Sequence, residues 1–430
     1  MARTPVIIDT DPGVDDILAI LLALASPELD VRAIIITFGN TDVEAAHLNV
    51  FRLHKALSKQ LEADPESRAR YVNLSSERKI ILAKGADFPL EGELHSAQYF
   101  HGRDGLGESS LRHPDLNVDS QDPADYPWLD ISDKSGVDVA LDVINSEPSR
   151  SITYIALGPL TSLAHLMRKQ GAAVRDRLGQ IICMGGALDV PGNTSAVAEF
   201  NFFADPFAVK ELLDPSTLVF PHSRWLLIPL DITTPHELPF PLYEQRIDRA
   251  FGSTSQPSEA QGKAPIVHFT SAFLERTREV MKMFGKDAME LHDIVAVWCA
   301  CDNPPLGDEE MKQVGGDVHA LHQGWAAVPR RFQVERLGEL TRGMLVVDRR
   351  EDEGAYDPGA NRAAVQAELE KHHFHTSGVL ESTAVPALTE VEEAPSKKPL
   401  PSGVPVVVKT PGSAALLQLL CSRVWGVPLA

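Results

Sequence analysis

The chain predicts an α/β fold: one large domain with a mainly parallel, Rossmann-like central sheet flanked by helices. Three observations lead there. Short β-branched runs end in Asp, Gly or Pro. Apolar or amphipathic stretches of helical length follow them. The two kinds of segment alternate through the first half of the chain.

Residues 5–9 (PVIID) read as a buried parallel strand, because no polar position interrupts the run before Asp9. Residues 17–25 (ILAILLALA) form a helix with few polar positions, which is expected to be largely buried. A strand at 31–37 (VRAIIIT) and a helix at 41–57 complete the first units. The alternation continues with a strand at 80–83, a helix at 137–145, a strand at 152–157 and a helix at 160–168. It then runs through a strand at 180–184, a helix at 205–213 and strands at 217–220 and 226–230. Residues 375–403 mix Ser, Pro, Glu and Lys and read as a disordered linker. One last strand (404–408) and helix (413–425) follow. There is no internal repeat and no independent second domain, so the domain is expected to span 1–430.

The 430 residues carry 40 basic and 60 acidic side chains, a formal charge of −20. Such a surface repels phosphates, which argues against nucleic acid or an anionic membrane as partner. A small neutral molecule or a cation is easier to accommodate. Cys183, Cys299, Cys301 and Cys421 form no CxxC pair, and three of them sit in apolar runs; buried thiols in a reducing compartment are expected. The N-terminus has no signal-peptide apolar stretch before its first charged motif, and no run reaches transmembrane length. A cytoplasmic protein is expected.

Asp9-Thr10-Asp11-Pro12-Gly13-Val14-Asp15-Asp16 places four carboxylates within eight residues, between a strand end and a helix start. Ligands of open α/β sheets bind outside the carboxyl ends of the strands. One Asp at a helix start serves as a cap. Four together repel unless a proton or cation intervenes. An all-oxygen, many-ligand site suits Ca²⁺ better than Mg²⁺. If the strand persists to Asp11, Asp9 and Asp11 point the same way.

This motif resembles the DxDPGxDD signature of the inosine-uridine nucleoside hydrolases. Phosphatases of another fold also open with a strand and DxD, but they need Ser or Thr where Gly13 stands. Met184-Gly185-Gly186, Gly192-Asn193 and Ala198-Glu199-Phe200-Asn201 are similar to the family's MGG…GN…EFN segment, and Leu291-His292-Asp293 to its His-Asp pair. Ala156 to Thr161 (ALGPLT), Asn40 after Phe38-Gly39, His101 in HGRDGLG and the segment 338–350 are further likenesses. Segments at about 61–77, 108–135, 250–263 and 375–403 depart from the family as insertions.

The resemblance implies hydrolysis of the N-glycosidic bond of ribonucleosides by a Ca²⁺-bound water. Asp11, Asp16, Asp293 and the Leu157 carbonyl are the expected metal ligands. Asp11 doubles as general base and His292 acts as general acid toward the base. Asp15, Asn40, Asn193, Glu199 and Asn201 are expected on the ribose and His101 near the base, on a loop expected to move. Asp9 would orient the cluster from behind. A homodimer or homotetramer is implied. The competing readings are a metal-dependent phosphatase and a non-catalytic nucleoside- or Ca²⁺-binding protein on the same fold.

Overall fold

The computed structural model describes residues 3–214, 219–252, 254–306, 321–349 and 403–429. Among them the apolar runs assemble a nine-stranded sheet in the order β10-β13-β7-β6-β5-β1-β2-β3-β4. The strands are β1 (Thr4–Thr10), β2 (Leu29–Ile36), β3 (Ile80–Lys84), β4 (Leu129–Ile131), β5 (Thr153–Ala156), β6 (Gln180–Met184), β7 (Trp225–Ile228), β10 (Ala326–Arg330) and β13 (Val404–Lys409). All neighbours run parallel except β10 and β13. Small antiparallel pairs join β8 (Glu237–Pro239) to β9 (Ala288–Glu290), and β11 (Gln333–Val334) to β12 (Leu345–Val346).

Side-chain alternation along β1 feeds two cores. Val6 and Ile8 pack with α1 (Val14–Leu24), α2 (Val43–Ala63) and the helices Pro265–Met283 and His292–Asp302. Ile7 packs with Gly136–Ser146, Thr161–Arg177 and Pro206–Leu213 on the other face. A doubly covered parallel sheet needs continuous apolar strands, which β1, β5 and β6 supply. From β1 the chain winds outward through β2, β3 and β4, then returns to β5 and winds the other way. The strand order therefore reverses beside β1, and a crevice opens there at the carboxyl ends.

The predicted alternation matches these elements, with physical departures. β1 ends at Thr10, so Asp11 lies in the connection and does not share a strand face with Asp9. α2 runs to Ala63, into the stretch read as an insertion from residue 61. Residues 217–218 of the predicted 217–220 strand lie outside the described residues. Val219 and Phe220 form a bend before Pro221, and pairing starts at Trp225. The strand read as 226–230 stops at Ile228, ahead of Pro229, because proline has no ladder donor. β4 lies inside the Asp- and Pro-rich 108–135 stretch, and the helix Pro265–Met283 is not among the predicted elements. The predicted linker 375–403 falls outside the described residues except for Gly403. No helix among the described residues is long and apolar enough to cross a membrane.

Candidate active site

β1 delivers Thr10 and Asp11 to the crevice, and α1 begins immediately after it. Gly13 caps α1, and its backbone N–H donates to Asp16 Oδ2 at 3.0 Å. Thr10 Oγ1 donates to the other oxygen of Asp16 at 2.5 Å. The Asn40 Nδ2 also donates to Asp16 Oδ2, at 2.8 Å, while the Asn40 backbone N–H donates to Asp11 Oδ2 at 2.7 Å. Asp11 Oδ1 has no partner among the described residues, although Asp11 is only 1% exposed. Glycine is required around it. A Cβ on Gly158 would stand 2.6 Å from Asp11 Oδ1, and one on Gly39 would collide with the same carboxylate.

Asp293, in the first turn of the helix His292–Asp302, joins this cluster from a distant part of the chain. One carboxylate oxygen from each of Asp15, Asp16 and Asp293 lies within 4.8 Å of the others. Burial, then the charges of Asp15, Asp16 and Asp11, push the Asp293 carboxyl well above the usual carboxylate range. Burial and the charge of Asp16 do the same to Asp11, and raise Asp15 to about 7. Buried carboxylates this crowded are a poor arrangement by themselves. A hard divalent cation offsets both the repulsion and the unpartnered oxygen, so the donor set fits one. The Leu157 carbonyl already accepts from Asn201 Nδ2 at 2.6 Å; its second lone pair remains available to a cation.

A cavity of about 660 Å³ lies above the carboxylates, within the size range of small-molecule sites. Its lining includes Asp15, Asn40, His101, Leu157, Asn193, Glu199, Asn201, His292 and Asp293. Asp11 and Asp16 lie beneath that lining. The structure thus brings the predicted site residues into one place.

Local bonding refines several of them. Glu199 caps the turn Phe200–Ala204: Oε1 accepts from the Asn201 N–H at 2.8 Å, and Oε2 accepts from Gly186 at 2.8 Å and Phe202 at 3.1 Å. Asn193 Oδ1 accepts from the Phe200 N–H at 2.9 Å. Both side chains therefore shape the backbone as well as facing the cavity. His101 Nδ1 accepts from the Val14 N–H at 3.1 Å, so the HGRDGLG segment is docked on the start of α1. Burial, the largest effect, lowers the His101 pKa to about 4. Asp9 behaves differently from the expectation. Its Oδ2 accepts from Tyr154 Oη at 2.8 Å, and Tyr154 packs in the core on the other face of the sheet.

Four further residues support the site, and three of them, Glu290, Thr233 and Asp231, lie outside every motif. Glu290 Oε2 meets His292 Nε2 at 3.1 Å, and Thr233 Oγ1 meets His292 Nδ1 at 2.7 Å. Burial alone lowers the His292 pKa, but the Glu290 bond and the charges of Asp15, Glu290 and Glu199 outweigh it and raise the pKa. Asp231 accepts from the backbone of Leu188 and Asp189 and fixes the loop after β6. Thr10 holds Asp16. Thr10, inside the acidic motif, and Glu290, two residues before His292, have a local signal; Thr233 and Asp231 have none.

A doubly wound sheet with an acidic, cation-suited pocket at its switch point is the arrangement of an α/β enzyme with a candidate metal site. Comparison with known proteins narrows this. Residues 6–376 match the family described as inosine-uridine preferring nucleoside hydrolase, and the chain belongs to that family. It is a nucleoside hydrolase. The pyrimidine-specific ribonucleoside hydrolase RihA of Escherichia coli K12 is 28% identical over 345 residues, covering 80% of this chain and 88% of that protein. Uridine nucleosidase 1 of Arabidopsis thaliana is 32% identical over 203 residues, 47% of this chain and 51% of that protein. A purine-preferring ribonucleoside hydrolase from Gardnerella vaginalis has the same fold: TM-score 0.62, 21% identity, 98% of both chains covered.

Proposed function

We propose that the enzyme hydrolyses the N-glycosidic bond of ribonucleosides with Ca²⁺ as its metal and Asp11 as its general base. One observation carries this reading. Carboxylates suited to a hard cation, amide and carboxylate groups suited to ribose hydroxyls, and a histidine held by a carboxylate all border one cavity. Asp11, Asp16, Asp293 and the Leu157 carbonyl would hold the cation, with Asp15 beside them. When bound, the cation supplies a Lewis-acid centre that lowers the pKa of a water.

This chain's own groups do the rest. Asn40 fixes one oxygen of Asp11, leaving Oδ1 to take the proton of the attacking water. Asp15, Asn40, Asn193, Glu199 and Asn201 orient the sugar. Departure of the base leaves positive charge on the ribose ring, as in glycoside hydrolysis. Asp15 and Glu199 oppose that charge from the pocket wall. His292, its pKa raised against burial by Glu290 and Asp15, donates to the departing base, with His101 nearby on the same wall. Within the same proposal, a homodimer or homotetramer works in cytoplasmic nucleoside salvage, where the four buried free cysteines stay reduced.

The test is a panel of purine and pyrimidine ribonucleosides assayed for free base and reducing sugar, with and without chelator. Metal-dependent release of both products is expected. Phosphate release from nucleotides without base release would support the phosphatase instead. No turnover with retained nucleoside binding would leave a binding protein.

A further inference from the structure

A second set of donors lies outside the pocket lining. His113 follows the short turn Ser109–Arg112, Asp115 sits in the 3-10 turn Pro114–Leu116, and His268 stands near the start of the helix Pro265–Met283. One ligand atom from each lies within 4.8 Å of the other two. The two imidazoles meet edge to face with centroids 5.4 Å apart. His268 Nε2 lies 2.9 Å from Asp115 Oδ2, and His113 Nε2 lies 3.1 Å from Glu275 Oε2.

Simple pairing does not account for all of this. His268 Nδ1 has no partner among the described residues, although the side chain is only 6% exposed. A buried ring nitrogen left in that state is uncommon. Glu275 is 1% exposed, yet its carboxylate is aimed at His113 by Arg112 Nη2 at 2.9 Å and by the Ser258 N–H at 2.7 Å. A carboxylate that orients an imidazole is the usual support behind a metal-bound histidine. Two imidazoles with one carboxylate form a borderline-soft donor set, matched to zinc and related first-row ions rather than to calcium.

We propose that His113, Asp115 and His268 bind a zinc-class divalent ion, with Glu275 orienting the His113 ring. The side chain of Asp115 is 52% exposed, so water can complete the coordination. The ion ties the 109–116 segment to the helix Pro265–Met283. That helix carries Met281 into the nucleoside pocket, and its Phe273 and Arg276 lie against Gly107 of the HGRDGLG segment. The site thus fastens one wall of the pocket without touching the substrate.

The probe is Co²⁺, a zinc stand-in with visible absorption. It is titrated into the full-length protein in saturating Ca²⁺, which fills the carboxylate pocket. One equivalent should produce a saturable band that Zn²⁺ abolishes. Asp115→Asn and His113→Ala should each weaken Co²⁺ binding by at least about 10-fold, and Glu275→Gln by roughly 10- to 100-fold. Zn²⁺ at about 100 times its Kd should raise Tm by ~3 °C in the parent and not in Asp115→Asn. Should His113→Ala fail to fold, the more exposed Asp115→Asn still decides. The absence of a saturable band overturns the site, as does a band and Tm shift unchanged in Asp115→Asn.

Discussion

At the floor of the pocket, Asp11, Asp16 and Asp293 are at most 3% exposed and stand on two short segments locked to a strand end and a helix start. At its mouth, Tyr99 and Phe284 are 58% and 66% exposed and stand on a short helix and a helix end. Asp11 and Asp16 are each held by backbone or side-chain hydrogen bonds, so their geometry is set before any substrate arrives. The mouth offers apolar surface with few fixed bonds. The difference separates a fixed, polar floor from an exposed, apolar mouth, and under the proposed function it assigns bond breaking to the first and choice of base to the second.

The separation can be broken by experiment. Asp11→Ala should lower kcat/KM by about 10⁴-fold on every nucleoside cleaved, with Tm nearly unchanged. A comparable loss from Phe284→Ala would erase the distinction between floor and mouth. Gly158→Ala keeps every site side chain chemically intact but sets a methyl group 2.6 Å from Asp11 Oδ1, so the carboxylate must move. A kcat loss of about 10²-fold is expected, from displacement alone. An alanine variant with parental kcat would show that the floor tolerates movement.

His292 stands between the two regions. His292→Ala should slow nucleosides with poor leaving groups by roughly 10²-fold and activated nucleosides far less. Glu290→Gln should show the same order of substrates at about 10-fold, because it removes only the carboxylate partner of the ring. Equal slowing of good and poor leaving groups would take His292 out of the acid role. The smallest effect belongs to the mouth. Phe284→Ala should raise KM by about 10-fold or less, unequally for purine and pyrimidine substrates, with kcat held within about two-fold.

The same contrast governs what was legible in the sequence. The floor could be read because DTDPGVDD packs four carboxylates into eight residues between a strand end and a helix start, a crowding that a proton or cation relieves. The sheet could be read because β1, β5 and β6 are each built on a short, fully buried apolar run, Val6–Ile8, Tyr154–Ala156 and Ile181–Met184. β4 is three residues long and leaves no periodic trace. β10 carries Pro329, tolerated because the strand lies at the sheet edge, which propensity alone argues against. Ile266, Phe269, Phe273 and Val280 do recur at helical spacing in Pro265–Met283, so that helix was written in the chain even though it was not predicted. Thr233 and Glu290 act through His292 from separate segments, and only the fold reveals their meeting. Asp9 shares a motif with Asp11, but the end of the strand at Thr10 leaves it bonded to Tyr154.

The most direct test is to strip the enzyme of metal and titrate Ca²⁺ back while following cleavage of inosine and uridine. The account predicts no cleavage at the start, recovery complete near one equivalent, and no recovery in Asp293→Ala under the same conditions. Full cleavage by the stripped enzyme, or recovery that ignores the Asp293 substitution, would contradict it.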